Sequence, residues 1–299
     1  MKIALVTAIA AFALDEDLAP LQQALQANGI EAPILAWDDT SVSWARFDAA
    51  VLRSPWDYAE RLPEFLAWAE RIGEKTKLLN PLPVIRHNTD KHYLDELRRA
   101  NVPVVPSRFA EPGEDAAKAV RNFLADFPDA AEFVAKPAIG AGSRDAQRYS
   151  RAQQAAAEKH VARLLSEDRS VLLQPYLPAV DEAGETALMF FDGQFSHAIR
   201  KGPLLRRDEG PTELLFAPEE ITARKPGKDE LQVAKAALAA LPKLFGNKGP
   251  LAYARVDLIR DQSGAPVLLE LELTEPSLFF LHDAKAADKF AKSLKKRLA

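Results

Sequence analysis

The chain has 299 residues and no cysteine. Disulfides, thiolate nucleophiles and zinc–thiolate centres are therefore excluded. An excess of charge of one sign is also missing: 39 Lys and Arg stand against 43 Asp and Glu, a net charge of −4 at pH 7. No global basic field draws in nucleic acid or an anionic membrane. Long apolar runs are absent too. The opening Met1-Lys2-Ile3-Ala4-Leu5-Val6 soon meets Asp15, Glu16 and Asp17. It is too short for a signal peptide or a membrane span, so a cytoplasmic protein is expected. The basic cluster Lys292, Lys295, Lys296 and Arg297 suits a solvated helix end, where cations complement the macrodipole. What is left is the composition of an ordinary soluble protein, 47% hydrophobic and 27% charged, long enough for about two domains.

Residues 3–7 read as a buried strand and 18–28 as a helix stopped by Gly29. Residues 33–36, 49–53 and 77–79 read as further strands, with a helix over 62–72. Such alternation predicts a parallel sheet covered on both faces over residues 1–88. A helix is expected over 88–100, capped by Asn88 or Thr89. Past Pro103 and Pro106 the pattern becomes α+β. Residues 132–136 form a strand, 137–145 a loop, 151–165 a helix and 171–174 a strand. A hairpin joins 185–191 to 194–201 around Asp192-Gly193, a strong turn signal. A helix over 228–244, a second hairpin of 251–260 with 266–274, and a helix over 284–298 complete the chain. The expected units are 1–88, 89–175 and 176–299.

The second hairpin carries the most chemistry. Alternate residues of a strand share a face, so Arg255 and Asp257 point one way, as do Glu270 and Glu272 on the partner strand. Val267, Leu269, Leu271 and Leu273 take the other face. A four-residue turn at 262–265 pairs Arg260 with Val267, sets Asp257 opposite Glu270 and sets Arg255 opposite Glu272. Like charges directly opposed destabilise a sheet, and Arg255 alone does not balance three carboxylates. A pair of Mg²⁺ ions would, because hard cations take oxygen ligands and share them with phosphates. A solvated sheet face with a local ion pair is the plain alternative, and the residues alone leave both open.

Lys136 ends a strand and is followed by Pro137 and then Ala138-Ile139-Gly140-Ala141-Gly142-Ser143-Arg144-Asp145. Small residues let backbone N–H groups approach phosphate oxygens, and Ser143 and Arg144 add donors. No Gly-Lys-Ser/Thr closes this loop, and Asp145 stands where a dinucleotide fingerprint needs its third glycine. A surface loop is equally consistent. Lys91, near an expected helix N-terminus, reads by itself as a surface lysine, although it gains nothing from the dipole there, which fits a ligand as well. Gln174 and Leu177 flank Pro175 in the strand linking the two α+β parts. A two-residue turn pairs Glu185 with Arg200, which a plain cross-strand salt bridge also explains. His197 is a candidate base by its ordinary pKa only, and a structural role fits it as well.

The order of these features resembles the ATP-grasp superfamily of ligases over nearly the whole chain: helix lysine, strand lysine, small-residue loop, hinge strand, glutamate, Arg-x-Asp, Glu-x-Glu. The resemblance implies the ATP-grasp fold, an α/β protein whose Rossmann-like parallel-sheet domain precedes two α+β subdomains that clasp ATP. It implies that Lys91 and Lys136 hold phosphates under a loop containing Gly140, Gly142 and Ser143. Gln174 and Leu177 then meet adenine, and Glu185 the ribose. Asp257, Glu270 and Glu272 ligate two Mg²⁺ ions, and Arg255, with Lys136, serves the transferring phosphoryl group. Two positions depart from the common pattern: Gln174, where many relatives carry glutamate, and Glu272, where many carry asparagine.

Residues 53–58 (Arg-Ser-Pro-Trp-Asp-Tyr), 195–201 and 271–278 look like the branch that includes D-cycloserine synthetases. This implies cyclisation of O-ureido-D-serine through an acyl phosphate, with Arg53 and either Arg200 or Lys201 on the substrate carboxylate; a core-flanking salt bridge is the equal alternative for Arg53. It implies partners limited to ATP and a small amino-acid-like carboxylate, with no nucleic acid and no membrane, and a possible homodimer. An intermolecular carboxylate–amine ligase of the dipeptide or glutathione type is the second reading. A non-catalytic ATP-binding protein is the third.

Overall fold

The computed structural model describes residues 1–205, 220–246 and 249–299. β1 (Ile3–Thr7), α1 (Leu18–Ala27), β2 (Ile34–Ala36), β3 (Ala49–Ser54), α2 (Leu62–Gly73) and β4 (Lys77–Leu79) alternate as expected. They give an all-parallel sheet of order β2-β1-β3-β4. Every residue of β1 and β3 is buried, because helices cover both faces. Ile3, Leu5, Ala49 and Val51 cluster with Leu21 and Leu25 of α1; Ala4, Val6, Ala50 and Leu52 cluster with Phe65, Trp68 and Ile72 of α2. The last helix of the chain, Ala286–Leu298, joins the first of these clusters through Phe290 and Leu294.

The single helix expected over 88–100 does not form. α3 (Leu82–Asn88) ends and α4 (Tyr93–Arg99) begins after a break. The expected caps are engaged elsewhere. Asn88 donates to Leu271 O and accepts from Leu273 N, both at 2.7 Å, and the Thr89 hydroxyl donates back to Arg86 O at 3.2 Å. Lys91 therefore sits in the turn between two helices, its backbone N–H donating to Ala138 O at 3.0 Å.

β5 (Arg108–Ala110), α5 (Ala116–Asp126), β6 (Glu132–Pro137), β7 (Gln147–Ser150), α6 (Gln154–Ser166) and β8 (Val171–Pro175) build an antiparallel sheet of order β5-β8-β6-β7. Pro175 ends its strand, where its missing N–H does no harm. β5, α5 and β7 were not expected from sequence. The two strands are short edges defined by their neighbours. The helix did carry a readable signal: Asp115 caps it, accepting from Lys118 N at 2.9 Å.

α7 (Ala179–Ala183), β9 (Glu185–Phe191), β10 (Gln194–Lys201), β11 (Ile221–Arg224), α8 (Lys228–Phe245), β12 (Tyr253–Arg260), β13 (Pro266–Glu272) and α9 (the helix Ala286–Leu298) follow. The two expected hairpins merge through β9 and β12 into one sheet of order β11-β10-β9-β12-β13. Each hairpin carries a bulge that shifts its register. The irregularity between Phe195 and His197 pairs Glu185 with Lys201, and Arg200 instead meets Thr186. In the second hairpin Arg260 pairs with Pro266, not Val267. One extra residue in β13, Leu269, then restores Asp257 opposite Glu270 and Arg255 opposite Glu272. The bulge also corrects the expected faces: Val267 and Leu269 cluster with Ile259 and Leu177, while Leu268 and Leu271 enter the core behind the sheet.

Asn80, 1% exposed, ties the first sheet to the third. It donates to Tyr253 O at 2.9 Å and Leu273 O at 2.8 Å and accepts from Ala252 N at 2.8 Å. Asn80→Ala leaves these buried backbone groups unpaired. It should cost about 3 kcal/mol, read as a lower urea midpoint at unchanged slope. His160 of α6 is buried, with Nδ1 3.0 Å from the Tyr149 hydroxyl and Nε2 unpartnered. Burial, reinforced by Arg163, pushes its pKa down to about 4. The unfolded chain thus takes up this proton first as pH falls. The stability from neutral His160 is complete above its ordinary pKa of 6.5 and is lost progressively towards pH 4. His160→Phe should flatten the pH dependence of unfolding free energy in that window; an unchanged slope would exclude His160 as its source.

Candidate active site

The three sheets meet at one cleft. The connection after β3 contributes Trp56 and Tyr58 to its wall, and the turn after α3 contributes Lys91. Lys136, Gly140, Gly142, Ser143, Gln174, Tyr176 and Leu177 come from the second sheet and its loops, and Glu185, Lys201, Arg255, Leu269, Glu270, Glu272 and Glu275 from the third.

Its floor is an ion network. Arg255 Nε donates to Asp257 Oδ1 at 2.9 Å, and its Nη2 donates to Asp257 Oδ2 at 2.9 Å and also to Glu272. Lys201 Nζ lies 2.8 Å from Asp257 Oδ2 and 3.2 Å from Glu185 Oε2. Lys91 and Lys136 both reach Glu270, at 3.1 and 3.6 Å. Lys91 Nζ also donates to Gly140 O at 3.0 Å, so it touches the small-residue loop as well as the hairpin.

These contacts explain the titration of the cluster. Burial works against the Asp257 and Glu270 carboxylates, yet Arg255 with Lys201, and Lys91 with Lys136, hold both below the usual range. Glu272 is pushed up to about 7 by burial and by the charges of Asp257 and Glu270, against Arg255. Burial lowers Lys136, with Glu270 opposing; Lys91 is raised because Glu270 outweighs its burial. Burial and the Glu272 charge raise Glu275 to about 8.

The loop after Lys136 is backbone-rich, with Gly142, Ser143 and Asp145 at φ of 64°, 59° and 57°. Arg163 and Arg169 fix its far end, reaching Asp145 at 2.6 and 2.7 Å, and Arg144 pairs with Glu60 of the first domain. Gln174 donates to Ser107 Oγ at 2.8 Å, and Tyr176, Leu177, Val180, Ile259 and Leu269 form an apolar cluster beside it.

Some expected site residues stand elsewhere. Arg53 is fully buried, donates to Pro276 O at 2.5 Å and lies 3.9 Å from Asp17, so it braces the turn after β13 and does not face the cleft. Arg200 points to the backbone of α7, donating to Ala183 O at 3.0 Å, because the bulge in β10 gives its expected place to Lys201. Asp257 lies beneath the cleft wall behind Arg255 and Lys201. His197 holds Leu278 O at 2.8 Å through Nε2, a structural role. The acids Asp257, Glu270 and Glu272 supply hard oxygen donors on one hairpin. Among the described residues, however, no three His, Cys, Asp or Glu side chains form a ready metal cage. Sequence reasoning missed Trp56, Tyr58 and Glu275 as cleft residues, though all three lie in phrases that carried the resemblance.

The N-terminal domain family of D-cycloserine synthetase DcsG matches residues 3–80. The cycloserine biosynthesis protein DcsG of Streptomyces lavendulae is 46% identical over 296 residues, 99% of this chain and 98% of that one. This chain belongs to the DcsG family of D-cycloserine synthetases. The crystal structure of D-cycloserine synthetase DcsG superposes with a TM-score of 0.95 at 45% identity, covering 100% of both chains. The D-alanine–D-alanine ligase of Bacillus anthracis shares the fold at 17% identity, with a TM-score of 0.64 over 99% of this chain and 95% of its own. The DcsG-family chain is thus an ATP-dependent ligase on the ATP-grasp fold. Among its described residues no helix is long and apolar enough to cross a membrane.

Asp257→Asn and Glu270→Gln each unbalance the ion network with little change of shape. Either should lower ADP formation at least about a hundredfold while circular dichroism keeps its native form. Wild-type turnover in either variant would remove that carboxylate from the machinery.

Proposed function

We propose that this ligase uses Mg-ATP to phosphorylate the carboxylate of O-ureido-D-serine and then closes the product to D-cycloserine. One observation carries this reading: a chain 46% identical end to end to a cycloserine biosynthesis protein keeps a cleft in which Lys91 and Lys136 meet a carboxylate hairpin. A carboxylate is a poor electrophile because oxide leaves badly. Transfer of the γ-phosphoryl group to its oxygen, with release of ADP, makes phosphate the leaving group. The nitrogen next to the ureido oxygen then attacks the acyl carbon and phosphate departs; water cleaves the bond from that nitrogen to the carbamoyl carbon, leaving N–H on the ring and releasing carbamate, which breaks down to carbon dioxide and ammonia.

Catalysis of phosphoryl transfer is mostly positioning and charge neutralisation. Lys91 and Lys136 fit the triphosphate, with the backbone of Gly140, Gly142 and Ser143 above them. The apolar cluster around Leu177, Ile259 and Leu269, with Gln174 at its edge, fits adenine. Glu185, across from Lys201, fits the ribose hydroxyls. Arg255 fits the transferring phosphoryl group. Lys201 is the cation of its pair left to the substrate carboxylate, since Arg200 lies outside the cleft.

Of the cations lining the cleft, Lys91, Lys136, Lys201 and Arg255 are already paired with Glu270, Glu185, Asp257 or Glu272, and Arg144 with Glu60. A polyanionic nucleotide needs more positive charge than this, and Asp257, Glu270 and Glu272 offer the oxygen donors that two Mg²⁺ ions prefer. When bound, such ions neutralise phosphate charge and align the nucleotide.

ADP release with Mg-ATP and O-ureido-D-serine as sole organic substrate, with product mass recorded, tests the reading. A cyclic product without added amine is expected, and excess chelator should abolish it. ADP formation only when a second amine is supplied would favour intermolecular ligation and remove the cyclisation.

A further inference from the structure

Each acid of the network has a cation, with one exception. Glu185, Asp257, Glu270 and Glu272 lie within ion-pair distance of Lys201, Arg255, Lys91 or Lys136. Glu275 also lines the cleft, three positions beyond Glu272, yet among the described residues no Lys or Arg nitrogen stands within ion-pair distance of it. Its neighbours are aromatic. Trp56, 7% exposed, donates through Nε1 to the Glu275 backbone carbonyl at 3.2 Å, which holds the two segments together. Tyr58, 3% exposed, lies beside the Glu275 carboxylate and favours its charged form. A carboxyl group with no Lys or Arg in ion-pair distance, met by the Tyr58 hydroxyl and bordered by Trp56, is an acceptor suited to an ammonium group.

Position supports the same conclusion. In an amino acid the ammonium sits one carbon from the carboxylate that is activated. Arg255, the group at the phosphoryl end, donates to Ser277 O at 3.2 Å, so the turn carrying Glu275 is fixed directly to it. We propose that Glu275, with Trp56 and Tyr58, is the specificity pocket for the α-ammonium group of the amino-acid substrate. The proposal rests on the amino-acid ligase reading above. It places substrate selection in the contact between the residues after β3 and the turn after β13, and it explains why no Lys or Arg among the described residues pairs with the carboxyl group there.

The test compares O-ureido-D-serine with its analogue lacking the α-amino group, in wild type and in Glu275→Gln. Wild type should prefer the amino substrate by about ten- to a hundredfold in kcat/KM, the worth of a hydrogen-bonded charge. Glu275→Gln should raise KM for the amino substrate by that factor, leave KM for ATP unchanged and abolish the preference. Glu275→Asp should restore part of it. Equal losses on both substrates, or an undiminished preference in Glu275→Gln, would overturn the pocket. A general folding defect would raise KM for ATP as well and would not be rescued by aspartate. Should wild type form no ADP with O-ureido-D-serine, the cyclisation fails separately. The pocket is then measured as the wild-type to Glu275→Gln ratio of affinities for D-serine and 3-hydroxypropanoate by calorimetry, where equal ratios refute it.

Discussion

Asp257 stands directly across a strand pair from Glu270, and opposed carboxylates repel. The surroundings of β12 and β13 answer that repulsion with cations from every part of the chain. Lys91 comes from the turn that follows the first sheet, Lys136 from the end of β6, and Lys201 and Arg255 from the third sheet itself. The site exists only when the three sheets are packed together, because no one of them holds a balanced set. Buried charges of this kind add little net stability, but removing one partner leaves the other exposed to the full cost of burial. The network therefore sets the relative placement of the sheets more than it strengthens any one of them.

The same logic explains why three separated phrases identify the family. They touch one another. Arg53 donates to Pro276 O, Trp56 to Glu275 O and Arg255 to Ser277 O, while His197 holds Leu278 O. Asp17 accepts from the N–H groups of Leu278, Phe279 and Phe280 at 2.5, 3.0 and 2.8 Å. Residues 275–280 thus form a turn held from all sides by buried donors and acceptors. Arg53 belongs to this scaffold: it has no solvent exposure, its two terminal nitrogens donate to Leu52 O and Pro276 O, and Asp17 lies 3.9 Å away, while Nε is left without a partner among the described residues.

Much of this was legible in the sequence, and the failures of register share one physical origin. Strand and helix alternation predicts the parallel sheet because each buried strand is a continuous apolar run. The acid pairs were readable because a two-residue period fixes which side chains share a face. Bulges break that period. In β13 the extra residue Leu269 leaves the Asp257–Glu270 pair intact but puts Val267 and Leu269 in the apolar cluster with Leu177 and Ile259, and Leu269 on the cleft wall. In β10 the irregularity replaces Arg200 with Lys201 opposite Glu185. No local propensity marks either position, since a bulge is decided by what its neighbours must face. Glu275 was hidden for a related reason. It lies beyond the strand, where periodicity has no meaning, and its significance comes from Trp56 and Tyr58, more than two hundred residues earlier in the chain. Distance in sequence conceals such pairs even when each half lies in a recognisable phrase. A carboxylate whose neighbours hold no cation becomes visible only once all the cations around it have been placed.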